Sequence, residues 1–285
     1  MLSLHTNHAS LSAQNSIART QNSLSTSQTR LSTGYRINSA MDDAAGLQIA
    51  SRLKAQTSGM TVAMRNTQNS TAMLQTAEGA LDEVSNMLVR MKDLATQAAD
   101  ASSTADDKTA MQSEYDALGK ELANVLKNTT FGGSTLLVDG TVDAAMTFQI
   151  GASSSETMEI DLSDDMSTLA SDVSAVTVQY ASSAATTGTE LTSSANSTIG
   201  SLEDALASVN KVRSGLGAAA NRLEHVYNNL ANISTNTKAA TGQIMDVDFA
   251  SESANMTSNQ MLLQASTAML KQSNSMSSMV MSLLQ

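Results

Sequence analysis

Two adjacent carboxylates, Asp42 and Asp43, are the side chains in this sequence best placed to do chemistry together. Such a pair can divide the work of a general acid and a general base, or hold a divalent cation, when further carboxylates or an imidazole stand close by. In "RLSTGYRINSAMDDAAGLQIASRL", Arg30 to Leu53, the residues that follow the pair are Ala, Gly and Leu. The same acids have a plainer use at the start of a helix, where each favours the positive end of the dipole by about 0.3 to 1 kcal/mol. That reading puts a helix start near Ser39, and an Arg on another segment is an equal candidate for their partner. The histidines supply no ligand set, since His5 and His8 lie near the amino terminus and His225 stands alone in a helical pattern. No HExxH, P-loop or GxSxG pattern occurs. With no Cys in the chain, thiol catalysis is excluded too. The expectation is no enzyme, no cofactor and no metal.

The elements around these residues are helical by composition and by period. The 285 residues include no Pro, no Trp and eighteen Met against seven aromatic residues, and the apolar share is 41%. Ala, Leu and Met therefore supply the core, which suits closely spaced helices. Net charge is −11, and residues 100–175 carry three basic and fourteen acidic side chains, which is the whole imbalance. An acidic chain lacks the basic face that nucleic acid requires. No apolar run reaches the length of about 18 residues that a membrane span needs, and the amino terminus lacks the apolar core of a cleaved signal peptide. Neither nucleic acid nor membrane is an expected partner, and any export is expected to use another route.

Leu4, Leu11, Ile17, Leu24 and Leu31 recur every six or seven residues in a polar, acid-free start, a thin seam that orders only against partner helices. Leu74, Ala77, Leu81, Val84, Leu88, Met91, Ala95 and Ala98 alternate steps of three and four, the seam of a coiled coil. Met111, Tyr115, Leu118, Leu122 and Val125 repeat it after a polar turn, which predicts an antiparallel helical hairpin. From Asn128 to Val178 the period changes, and "TFQI" and "TMEI" alternate as strands do. Residues 179–198 read as an exposed Ser/Thr-rich loop. Helix resumes with Ile199, Leu202, Leu206, Val209, Val212, Leu216, Ala219, Leu223, Val226, Leu230 and Ile233. A last helix after "DVDFA" carries Leu262, Ala265, Met269, Met276 and Leu283, widened by Met261. The expected fold is mainly α, an elongated helical rod with coiled-coil-like helices from both termini and a small β-hairpin region at mid-chain. Terminal stripes without a local partner pair with each other or with neighbouring copies, which predicts a polymer.

The Arg30 to Leu53 stretch, followed by "NTQNSTAMLQTAEGALDEVSNMLVRMKDLATQAA", resembles the N-terminal region of bacterial flagellins, the filament subunits of the flagellum. "SGLGAAANRLEHVYNNLANIS" and "DVDFASESANMTSNQMLLQASTAMLKQSNSMSSMVMSLLQ" are similar to the other end of that family. The resemblance implies that 1–42 and 246–285 are inner-core terminal helices and that 43–178 and 199–245 form the rod. On this reading 179–198 replaces the variable outer domain. It implies an assembly core at Leu4, Leu11, Ile17, Leu24, Leu31, Leu262, Met269, Met276 and Leu283. The rod core would hold Leu74, Leu81, Val84, Leu88, Leu118, Leu122, Leu216, Leu223, Val226 and Leu230, and Gly34, Arg36, Asp42 and Asp43 would connect the two. Three positions depart from the family: Met41 stands for the usual Lys, Gln285 for the usual Arg, and "NSMSSMV" lacks the frequent Pro.

The implied function is a secreted subunit of the flagellum, exported unfolded by the flagellar type III system. Its implied partners are copies of itself, an export chaperone at the C-terminal helix, and hook-associated and cap proteins. "LVRMKDLATQ", Leu88 to Gln97, is similar to the segment read by the host flagellin-sensing Toll-like receptor. Arg90, Leu94 and Glu114 fall on the contact positions, while Val89, Lys92, Asp93 and Thr96 depart. Two readings compete with the filament subunit: a hook-filament junction protein and a cytoplasmic coiled-coil signalling rod.

Overall fold

The computed structural model describes residues 7–181 and 187–283. Helices α1 (His8–Thr33), α2 (Ala44–Ala99) and α3 (Ala105–Asn128) come first. Two antiparallel strand pairs follow, β1 (Thr130–Phe131) with β2 (Ser134–Thr135) and β3 (Met146–Gln149) with β4 (Thr157–Ile160), and a 3₁₀ turn at Thr141–Asp143 lies between the pairs. Helices α4 (Ser163–Val176), α5 (Val178–Ala181), α6 (Glu190–Ser193), α7 (Ala195–Met245) and α8 (Phe249–Leu283) complete the order. The chain divides into two compact units, one of residues 1–57 and 235–285 and one of residues 58–234. The divisions fall inside α2 and α7, not at 42/43 and 245/246, the bounds that the resemblance implies.

In the 58–234 unit the seam on α2 is closed. Leu74, Ala77, Leu81, Val84, Leu88, Met91, Ala95 and Ala98 are at most 1% exposed, and each fully buried Leu contributes about 1.5 to 3 kcal/mol of transfer free energy. They share one core with Tyr115 and Leu122 of α3 and with Leu202, Val209, Leu216 and Leu223 of α7. Leu118 is half-buried at its margin, while Val226 packs, half-buried, against a second small core of Met60, Ala63 and Leu230. Arg213 on α7 reaches Glu78 at 2.9 Å and Asp82 at 2.8 Å on α2, which fixes the register of the two helices at the rim of that core. Helix α3 starts on a capping box: Thr104 Oγ1 accepts from the Asp107 N–H at 3.2 Å and Asp107 Oδ2 accepts from the Thr104 N–H at 3.0 Å. Strands β3 and β4 pair Met146 with Ile160 and Phe148 with Met158, so the alternation that predicted them points these four to one face.

Residues 179–198 differ from the exposed loop the composition suggested. Gln179, Tyr180, Leu191, Ala195 and Thr198 are buried, and α7 starts at Ala195; positions 182–186 lie outside the described residues. A polar network on α3 pulls the segment down. Gln112 Nε2 donates to Asp116 Oδ1 at 2.9 Å and to Glu190 Oε2 at 2.8 Å, while Gln112 Oε1 accepts from the Leu191 N–H at 2.7 Å. Asp116 accepts from the Gly188 N–H at 3.1 Å, Glu190 accepts from the Val178 N–H at 3.1 Å, and the Tyr115 hydroxyl donates to the Val176 carbonyl at 2.8 Å. Burial pushes the Tyr115 phenol well above the ordinary tyrosine range, with the charges of Glu190 and Asp116 adding to it. The Gln112 amide satisfies the Leu191 N–H, so Leu191 joins the core without stranding its backbone donor.

Candidate assembly interface

The connector after α1 is built from the bottom up by its polar residues. Asn7 caps α1, its Oδ1 accepting from the Ser10 N–H at 3.1 Å, and Gly34 closes the helix at φ 76°, its N–H donating to the Arg30 carbonyl at 2.9 Å. A positive φ of this size favours Gly, so the bend after α1 is written at that position. The next residues pair with the chain between α7 and α8. The Arg36 N–H donates to the Met245 carbonyl at 2.6 Å, the Val247 N–H to the Gly34 carbonyl at 3.0 Å, and the Arg36 guanidinium to the Ile244 carbonyl at 2.8 Å. Arg36 thus satisfies carbonyls that the end of α7 leaves free and places a positive charge at its negative pole.

The two carboxylates divide structural work. Asp42 Oδ2 accepts from the N–H groups of Asn38 at 3.0 Å and Ser39 at 2.8 Å and from the Ser39 hydroxyl at 3.2 Å. Asp43 Oδ1 accepts from the Gly46 N–H at 2.9 Å and so caps α2. The helix therefore begins at Ala44, not near Ser39, because Asp42 spends its oxygens on the turn before the cap. Gly46 is required by contact: a Cβ there would stand 2.5 Å from Asp43 Oδ2 and 2.9 Å from Ile37 Cδ1. Arg30 lies between Asp42 at 3.9 Å and Glu252 of α8 at 3.8 Å, distances at which it neutralises both without a tight hydrogen bond. Among the described residues no cluster of three acids or histidines is spaced for a metal.

The backbone N–H groups of Ser39 and Asn38, then the Ser39 hydroxyl and Arg30, hold the Asp42 carboxyl below its usual range. A folded-state value below the unfolded one gives stability that is present above the unfolded pKa, about 3.9 for Asp, and lost as pH falls through the lower folded value. Asp42→Asn keeps an acceptor and loses the charge. In circular-dichroism melts from pH 7 to 2, the melting temperature of the wild-type chain is expected to exceed that of the variant by a constant margin at neutral pH. That margin should shrink only below about pH 4. Asp107, Asp161 and Asp248, which are depressed by their own hydroxyl and N–H donors, titrate in both proteins and cancel in the difference. A margin independent of pH would remove the charge from the argument.

Helices α1 and α8 pack together and run antiparallel, as Asn7 Nδ2 donates to Ser273 Oγ at 3.3 Å while Arg30 faces Glu252. On α1, Ser10 and Ser27 are buried and Ile17, Leu24 and Leu31 half-buried, whereas Leu11 is 53% exposed. On α8 the covered positions are Glu252, Met256, Asn259, Leu263, Ser266, Leu270 and Ser273, in alternating steps of four and three. The stripe that the sequence singled out lies on another face. Leu262, Met269 and Met276 are 52%, 67% and 56% exposed, and Met261 is 61% exposed. The covered face thus mixes small serines with Met256, Leu263 and Leu270, while Met261, Leu262, Met269 and Met276 are left uncovered within the chain. Leu4 lies outside the described residues, as does the side chain of Leu283.

On α2, Arg90 donates from Nε at 2.9 Å and from its terminal nitrogen at 2.6 Å to Glu114 Oε1 of α3, an ion pair open to solvent. Leu94 does not belong with it at the surface: it is 4% exposed because it falls on the core side of α2 beside Met91 and Ala95. Asn7, Gly46 and Glu252 are the connector residues that the motifs passed over. Only Asn7 carried a local signal, as a cap-forming residue just ahead of a helical pattern.

The profile described as the bacterial flagellin N-terminal helical region matches residues 4–143, and that of the C-terminal helical region matches residues 199–284. "Flagellin" of Halalkalibacterium halodurans is 41% identical over 253 residues, which cover 89% of each chain. "Flagellin FlaB2" of Treponema pallidum is 31% identical over 290 residues, covering 99% of each. A structure described as that of a flagellar hook-associated protein from Vibrio parahaemolyticus aligns with a TM-score of 0.57 at 16% identity, over 72% of this chain and 100% of that one, a likeness in fold.

Proposed function

The chain belongs to the bacterial flagellin family, and from that membership we infer that it is the structural subunit of the flagellar filament, assembled through the uncovered face of α8. The observation that carries the interface is the exposure of Leu262, Met269 and Met276 on one side of a helix whose other side is already occupied by α1. A contiguous apolar face of this kind in a folded chain marks a surface meant to be covered. Copies of the same chain cover it by head-to-tail contacts that do not close into a ring, which propagates a helical filament. The unit of residues 1–57 and 235–285, which holds α1 and α8, then supplies the inner-core contacts of the filament.

Several partners accompany this reading. An unfolded chain leaving the cell through the flagellar type III system would need the apolar side of α8 shielded by an export chaperone until assembly. Hook-associated and cap proteins would meet the same terminal helices at the two filament ends. Arg90 and Glu114, exposed as a pair, are the groups through which a host Toll-like receptor would touch the free subunit. The test is electron microscopy of the purified chain after seeding. Long uniform filaments are expected, whereas a junction protein would add one short layer to a seed, and a chain that stays monomeric with or without seeds would overturn the filament reading.

A further inference from the structure

The uncovered face of α8 carries thioethers where packing alone would accept Leu. Met261, Met269 and Met276 are spaced by eight and seven residues, which at 3.6 residues per turn places them within an arc of about 100°. Leu262 shares that arc. Leu and Met have similar volumes and exchange in packed interfaces at small cost, so the choice of Met adds little to shape. It adds a polarisable sulfur that oxidants reach. Met279, about five turns after Met261 and on the same arc, is also 61% exposed, and Met41 in the turn before α2 is 96% exposed. The core sulfurs of Met91, Met146 and Met166 are 0%, 4% and 1% exposed, against 61%, 67% and 56% for Met261, Met269 and Met276. The chain has no Cys to compete for oxidant.

We propose that Met261, Met269 and Met276 form an oxidation site that sets the assembly competence of the free subunit. The proposal rests on the filament reading above. A peroxide transfers one oxygen to the sulfur lone pair: the O–O bond breaks, an S–O bond forms, the thioether is oxidised to the sulfoxide, and the peroxide is reduced to water or an alcohol. Each event turns an apolar, flexible side chain into a polar one. On an exposed face the sulfoxide is solvated and the subunit keeps its fold. Once a neighbouring copy covers the face, the sulfoxide oxygen loses its water without gaining a donor, which weakens association by about tenfold or more for each such group. The assembled state hides the same sulfurs, so oxidant acts on the free subunit and spares the filament. Sulfoxide reductases, one for each epimer, with a dithiol as electron donor, return the thioether and release water.

The experiment treats the full-length free subunit with hydrogen peroxide, maps sulfoxides by peptide mass spectrometry, and measures the critical concentration for seeded polymerisation. The variant Met261→Leu/Met269→Leu/Met276→Leu runs in parallel, with Met279→Leu added because Met279 is exposed on the same arc. The three α8 sites are expected to oxidise at least about tenfold faster than Met91, Met146 and Met166, in line with their exposure. The critical concentration of the oxidised natural chain should rise about tenfold or more for each sulfoxide that the contact encloses. The variant should polymerise normally before and after peroxide, and the two reductases should restore the oxidised natural chain. A natural chain carrying sulfoxides at all three positions that polymerises unchanged overturns the proposal, as does a variant that loses assembly equally on oxidation. If neither protein polymerises before peroxide is added, the filament reading itself fails.

Discussion

Replacing Leu81 with Asp is expected to unfold the helical core of residues 58–234 outright. Leu81 has no solvent exposure and sits at the centre of the seam between Ala77 and Val84. Removing the buried side chain alone costs about 2 to 5 kcal/mol. An unpaired carboxylate in its place adds several kcal/mol more unless the site opens to water. The acids Glu78 and Asp82 nearby on the same helix raise the local negative charge, and Arg213, which could have answered it, is engaged by both of them. A total above about 5 kcal/mol reaches the whole stability of an ordinary domain. Circular dichroism should show lost helix at room temperature, while Leu81→Met, which conserves volume, should melt within a few degrees of the natural chain. An aspartate variant with an unchanged melting curve would mean that the α2 seam faces solvent.

That seam was legible in the sequence because its signal is local and periodic. From Leu74 to Ala98 the steps of three and four leave one register, and every position in it is buried. The strands β3 and β4 were legible for the same reason, with period two in place of 3.5. The burial of 179–198 was not. Gln112 and Asp116 meet Gly188, Glu190 and Leu191 across more than seventy residues, and no spacing rule connects a Gln and an Asp on one helix with backbone amides that far along the chain. At the connector the residue types announced a turn and a helix start, yet which carboxylate would cap and which would close the turn depended on where Gly46 and Ile37 had to pack. Leu94 is the opposite case: the similarity of its segment to one read by a receptor implies a surface residue, while its position beside Met91 and Ala95 makes it core.

The apolar stripe on α8 shows the limit of periodicity most clearly. A stripe states which residues share a face, and says nothing about what covers it; here α1 took the other side, through Asn7, Ser273 and the Arg30 and Glu252 charges. This separation of faces makes the second large effect an assembly effect alone. Met269 is 67% exposed, so Met269→Asp should alter the melting temperature of the free subunit by little, within the roughly 0.5 kcal/mol usual for surface substitutions. In a filament the same carboxylate would be enclosed at every repeat. Enclosing one unpartnered charge costs about 3 to 5 kcal/mol, which corresponds to a rise of roughly two to four orders of magnitude in the concentration needed for polymerisation. Sedimentation of seeded protein at increasing concentration measures this directly, with circular dichroism of the same sample as the check on fold. Leu81→Asp and Met269→Asp thus introduce the same charge on two helices with opposite consequences, loss of the subunit in one case and loss of the polymer alone in the other. Filaments from the Met269 variant at the natural concentration would place the intersubunit contact on some other face of α8.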